Sequence, residues 1–157
     1  MNPKFTLPER IYSSLYFGVI ATLSLAIIIR EPGFLSTVFI GGLCGGFIIP
    51  AYVINPTKFS IKRTLGAGAL TTLGSALITA LLVGIFYDND LEFPDAKNYD
   101  LIGILERLRR SLVFMAFAAA FAIPYSLIGA PAALLLSHLI AKHRKKIAPE
   151  IEPDVFE

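Results

Sequence analysis

Long apolar runs separated by short charged clusters make up most of the chain. The first run, about Ile11 to Ile29, is nineteen residues without a charge. At 1.5 Å per residue a helix of that length covers roughly 28 Å, close to the thickness of a bilayer's hydrocarbon. Arg30, Glu31 and Pro32 follow three isoleucines where a signal peptide would carry a small-residue cleavage site, so the run reads as a retained helix. Thr6 and Glu9 have capping-box spacing just ahead of it, and Tyr12 and Tyr16 suit a headgroup boundary.

Three more runs follow, at about Phe34 to Ile54, Thr64 to Tyr87 and Ser111 to Ile140. The link between the first two contains Pro32 and Gly33 and is short enough to force an antiparallel hairpin. No run shows the period-two alternation of a barrel strand, and each is about twice a strand's length. The pattern predicts an all-α polytopic membrane protein, a four-transmembrane-helix bundle with an additional interfacial amphipathic helix. That fifth element is read at about 99–110, where Leu101, Ile104, Leu105, Leu108 and Leu112 recur at helical spacing among charges. Asn98 is its N-cap by residue type, and Glu106 stands four residues before Arg110. Residues 1–146 form a single transmembrane domain, and 147–157 a flexible acidic tail.

Composition agrees with this picture. Hydrophobic residues are 55% of the 157 and charged residues 17%, outside the range of an ordinary soluble domain. The net charge of +2 is too small to suggest nucleic-acid binding. With both termini inside, nine Lys and Arg flank the cytoplasmic ends and five the outer ends, which predicts an N-in, C-in topology. A bacterial-type inner membrane or a plasma membrane is the expected location. Lys142, Arg144, Lys145 and Lys146 end the last run and suit anionic headgroups, as do Arg107, Arg109 and Arg110 on the outer segment. The bilayer is therefore one expected partner, and a membrane protein or a second copy is the other.

Helices in hydrocarbon associate through close backbone approach, which small residues permit. Gly41 with Gly45 and Gly42 with Gly46 make two overlapping pairs on the second run. Gly68, Thr72, Ala76, Ala80 and Gly84 continue the four-residue spacing on the third, and Ala116 with Ala120 and Ala118 with Ala122 add two pairs on the fourth. These stripes pack the bundle internally or pair with another subunit; both uses need the same surface. Pro50, Pro124 and Pro131 fall inside apolar runs and free the carbonyls of Gly46, Ala120 and Leu127. Such breaks are tolerated when neighbours satisfy the freed groups, and in transporters they mark binding sites.

Candidate chemistry is sparse. No Asp, Glu, Lys or Arg falls inside a run, which argues against proton-coupled carriers and intramembrane hydrolases. Asp88, Asp90 and Glu92 imitate the start of a calcium loop, but Phe93 and Tyr99 stand where an EF-hand needs Gly and Glu. Ser137 and His138 are adjacent and point about 100° apart on a helix, so they form no nucleophile and base pair. Cys44 lacks a partner for a disulfide and neighbours for a metal. No cofactor, metal or catalytic residue is expected. Thr71, Thr72, Ser75 and Thr79 form a hydroxyl stripe that, facing Tyr125 and Ser126, suits a small pocket for an uncharged or lipid-like ligand.

The preferred function is non-catalytic, that of a small accessory, assembly or protective factor working through helix contacts. The alternatives are a small oligomeric transporter or channel for an uncharged or lipid-like ligand, and a membrane-surface enzyme drawing on the acids of 88–100 with Arg107 to Arg110.

Overall fold

The computed structural model describes residues 5–54, 60–86 and 101–147, with side chains to residue 144. Asn98, the acidic stretch 88–100, the side chains of Lys145 and Lys146 and the tail 148–157 lie outside the described residues. The described chain is helical, with no strand among those residues: α1 (Leu7–Ala26), α2 (Pro32–Val53), α3 (Ile61–Phe86) and α4 (Leu101–Ile147). Three of these, α2, α3 and α4, are long and apolar enough to cross a membrane.

α1 begins where the capping residues place it. The Glu9 carboxylate accepts from the Thr6 backbone N–H at 2.7 Å, satisfying a donor that the first turn leaves open. The helix ends at Ala26, short of the Ile29 that its apolar run implies. Ile27 to Ile29 instead join the turn, because α2 starts with its own cap. Glu31 accepts from Gly33 N–H at 3.0 Å and from Phe34 N–H, and Pro32 takes the first helical position.

α2 contains Pro50 without breaking. The carbonyl of Gly46, four residues earlier, has lost its helical donor to the proline ring. The Ser13 hydroxyl of α1, fully buried, donates to it at 2.7 Å, and Ser14 donates to Leu43 O at 2.7 Å. A hydroxyl on the neighbouring helix thus explains how the proline is accommodated. Pro124 and Pro131 lie within α4, which continues through both.

The four helices pack in series, α1 on α2, α2 on α3 and α3 on α4. The α2 glycines serve two neighbours at once. A Cβ on Gly42 would stand 2.8 Å from Gly18 Cα, and one on Gly46 equally close to Ser13 O, so this pair faces α1. One on Gly41 or Gly45 would collide with Thr79 or Ser75 of α3. On α3, Gly68 meets the backbone of Gly129 and Ala130, and Gly84 meets Ser111, so these two face α4. All six glycines face helices of their own chain.

A separate surface helix at 99–110 is not what the described residues show: Leu101 to Arg110 are the first turns of α4. Nothing between Arg110 and Ser111 breaks a helix, so surface segment and span run together for 47 residues, about 70 Å. The face that packs inward is also the reverse of an ordinary amphipathic helix. Gly103, Arg110 and Ser111 are buried, while Leu101, Ile102, Leu105 and Leu108 are exposed. The cause is the end of α3, whose last carbonyls lack helical donors. Arg110 Nε donates to Gly84 O at 2.7 Å and Arg107 Nη1 to Ile85 O at 2.5 Å.

Candidate functional site

Serial packing leaves the outermost helices, α1 and α4, scarcely touching. At one end they are joined. There Phe5, Phe17, Ala51, Ile54, Ala67, Leu136 and Ile140 belong to one buried cluster, and Glu9 pairs with Arg144. Toward the opposite end the helices enclose a cavity of about 730 Å³, backed by α2 and α3. Phe17 borders it at the closed end, and Ile28, Ile29 and Glu31 of the α1–α2 turn line it at the other.

The lining is overwhelmingly apolar because each helix turns a row of three- and four-residue spacing toward it. α1 supplies Phe17, Ala21 and Ser24; α4 supplies Phe114, Ala118, Phe121, Tyr125 and Gly129. Ala118 and Ala122, whose spacing suits helix packing, line the cavity instead. From α3 come Thr72, Ala76 and Ala80, the middle of the small-residue stripe whose ends, Gly68 and Gly84, meet α4.

Of the six residues read as a polar pocket, Thr72, Ser75, Thr79 and Tyr125 line the cavity and Thr71 and Ser126 do not. The division follows helical geometry, since each excluded residue is one position, about 100°, from an included one. Thr71 is fully buried and donates to Ala67 O at 2.7 Å; Ser126 donates to Ile123 O at 2.6 Å. Thr72 and Ser24 likewise bond within their own helices, to Gly68 O at 3.0 Å and Ile20 O at 2.7 Å. The hydroxyls of Ser75, Thr79 and Tyr125 have no hydrogen-bond partner among the described residues. Ser75 and Thr79 rest against the bare backbone of Gly45 and Gly41, which leaves Tyr125 as the polar group of the α4 wall.

The aromatic wall of Phe17, Phe114 and Phe121 and the whole contribution of α1 escape the sequence pattern. Their signal is a row at helical spacing, and such a row is equally the mark of a core face.

Among the described residues, charge touches the cavity at one point. Glu31 is its one acidic or basic lining residue among those described, and its carboxylate caps α2. At the other end, the Arg144 guanidinium donates twice to the Glu9 carboxylate at 2.6 Å. Burial opposes ionisation of Glu9, but the Arg144 and Thr6 hydrogen bonds and the Arg144 charge outweigh it and hold the carboxyl below its ordinary range.

Arg107 and Arg110, whose spacing suggests headgroup contacts, are turned against α3, where they donate to the open carbonyls of Ile85 and Gly84. Glu106 pairs with Arg109 at 3.5 Å across i,i+3, not with Arg110. Arg109 is 72% exposed and Lys142 is exposed, whereas Arg144 is bound to Glu9. Ser137 is buried while His138 is exposed, so the two face apart. Cys44 is a free thiol, and no group of three or more His, Cys, Asp or Glu among the described residues is placed to hold a metal. Comparison with protein-family models, with curated proteins and with solved structures finds no match to this chain.

Proposed function

We propose that the chain is a four-span integral membrane protein, with both ends on the cytoplasmic side, that acts without catalysis by sheltering an uncharged, lipid-like ligand between α1 and α4. The observation that carries this is the cavity of about 730 Å³, within the size range of small-molecule sites and walled almost wholly by apolar side chains. In a bilayer the gap between α1 and α4 faces lipid directly. α1 joins the spanning set through its uncharged stretch, Ile11 to Ala26, about 24 Å of helix continued by the apolar Ile27 to Ile29, with Glu9 and Arg10 outside it at the cytoplasmic boundary.

A role as an assembly factor has less support, because the surfaces it would use are occupied. Gly41, Gly42, Gly45 and Gly46 face α1 and α3 of the same chain, and Arg107 and Arg110 cap α3.

The test is purification in mild detergent followed by lipid extraction and mass spectrometry, with Ala118→Trp to fill the cavity. A defined lipid enriched over the bulk membrane, and lost in the variant, is the expected result. Unchanged bulk lipid in both overturns the reading, and a stoichiometric second protein favours the assembly role. Topology has its own check in a Cys44→Ser background. A cysteine at position 95 is labelled from outside intact cells and one at position 60 is protected; the reverse pattern inverts the arrangement.

A further inference from the structure

Resting on that reading, we propose that the cavity takes one chain of an uncharged, oxygen-bearing lipid, admitted sideways between α1 and α4, whose oxygen bonds to the Tyr125 hydroxyl. Along α4 the cavity runs from Phe114 to Gly129, about 22 Å, long enough to take one extended hydrocarbon chain laid beside the helix.

Charge narrows the class. No Lys or Arg lines the cavity among the described residues, and the Glu31 carboxylate stands at one end, engaged with the α2 N-terminus. A phosphate or carboxylate drawn inside would lose its water and meet no counter-charge, which apolar surroundings penalise heavily. An uncharged oxygen pays no such penalty.

Hydrogen bonding then singles out one residue. Thr72 and Ser24 are bonded to their own helices, and Ser75 and Thr79 are pressed against α2 glycines. Tyr125 lines the wall with a hydroxyl that has no partner among the described residues. Tyr125 is half-buried among apolar side chains, where a hydroxyl gains from a ligand that completes its bonding, so a ketone, ester or alcohol is preferred over a plain hydrocarbon. Entry is lateral because α1 and α4 are tied at the Glu9–Arg144 end and scarcely meet elsewhere.

Three photoactivatable probes of equal chain length test this on the full chain in nanodiscs: a hexadecyl alcohol, the matching alkane and the matching alkyl sulfonate. The alcohol should label residues of α1 and α4 around the cavity, with the sulfonate at least tenfold weaker. Tyr125→Phe should lower alcohol labelling about fivefold, the worth of one neutral hydrogen bond, and leave the alkane unchanged. An alcohol-to-alkane ratio unmoved by Tyr125→Phe, or a sulfonate that labels as well as the alcohol, overturns the proposal. If Ala118→Trp still abolishes labelling in that event, the sheltering function stands and only the ligand class fails. If Ala118→Trp leaves all labelling intact, the sheltering function itself fails. A photo-crosslinker at Phe121 that captures a polypeptide in place of the probe also overturns the proposal.

Discussion

Glu9 and Arg144, 135 residues apart, are joined by two hydrogen bonds of 2.6 Å, with their side chains only 10% and 12% exposed. The pair ties the first helix of the series to the last at the end where the cavity is closed. The same carboxylate also accepts from Thr6 N–H, so capping of α1 and attachment to α4 converge on one group.

Removing one member of a buried pair leaves the other charge uncompensated, which typically costs about 3 to 5 kcal/mol. Glu9→Gln retains an acceptor for Thr6 and loses the charge, so it should destabilise the chain by an amount near the lower figure. Replacing both residues with leucine should recover most of the loss. Denaturant titration in detergent, followed by helical signal, measures both.

The tie should also fail in acid. The Glu9 carboxyl is lowered in the folded protein, so the unfolded chain takes up its proton first as pH falls. The contribution is full above the unfolded value of about 4.3 and is lost as pH drops through the lower folded value. Stability should therefore be flat in this respect from pH 7 to 5 and decline below about 4.3. Glu9→Gln should lack that decline, as thermal melts across pH would show.

Arg110 should tolerate little. Its side chain is 1% exposed and donates to Gly84 O, so Arg110→Leu leaves a carbonyl without that donor at a cost of about 1 to 3 kcal/mol. Hydrogen exchange should rise selectively in the last turns of α3. Arg110→Lys, which lacks the planar fork, should restore only part of the protection.

Glycines should differ by what they face. Gly45→Leu sets a branched chain against Ser75 and should separate α2 from α3, with loss of the folded species in detergent. Gly66 has nothing within 4 Å of a built Cβ, so Gly66→Ala should be neutral or add about 0.5 to 1 kcal/mol through helix propensity. Melting temperatures of the two variants check the contrast.

How much was legible in advance differs from helix to helix. α2 and α3 follow from hydropathy alone, within three residues of their observed ends. The start of α1 follows from Thr6 and Glu9, but its end does not: Ile27 to Ile29 are as apolar as the helix, and only the competing cap at Glu31 excludes them. The first turns of α4 were readable as helix and misleading in which face packs inward. Its arginines answer to carbonyls of α3, and periodicity carries no information about a neighbour's unfilled acceptors. For the site, the hydroxyls of Thr72, Ser75, Thr79 and Tyr125 could be found as a stripe. The α1 wall could not, because which helices adjoin is a tertiary outcome.

The bond from Ser13 to the Gly46 carbonyl also bears on biogenesis. With Pro50 in place, α2 alone carries a bare acceptor that hydrocarbon would penalise. α2 therefore gains from entering the bilayer already paired with α1, so the hairpin, not the single helix, is the natural unit handed from ribosome to membrane.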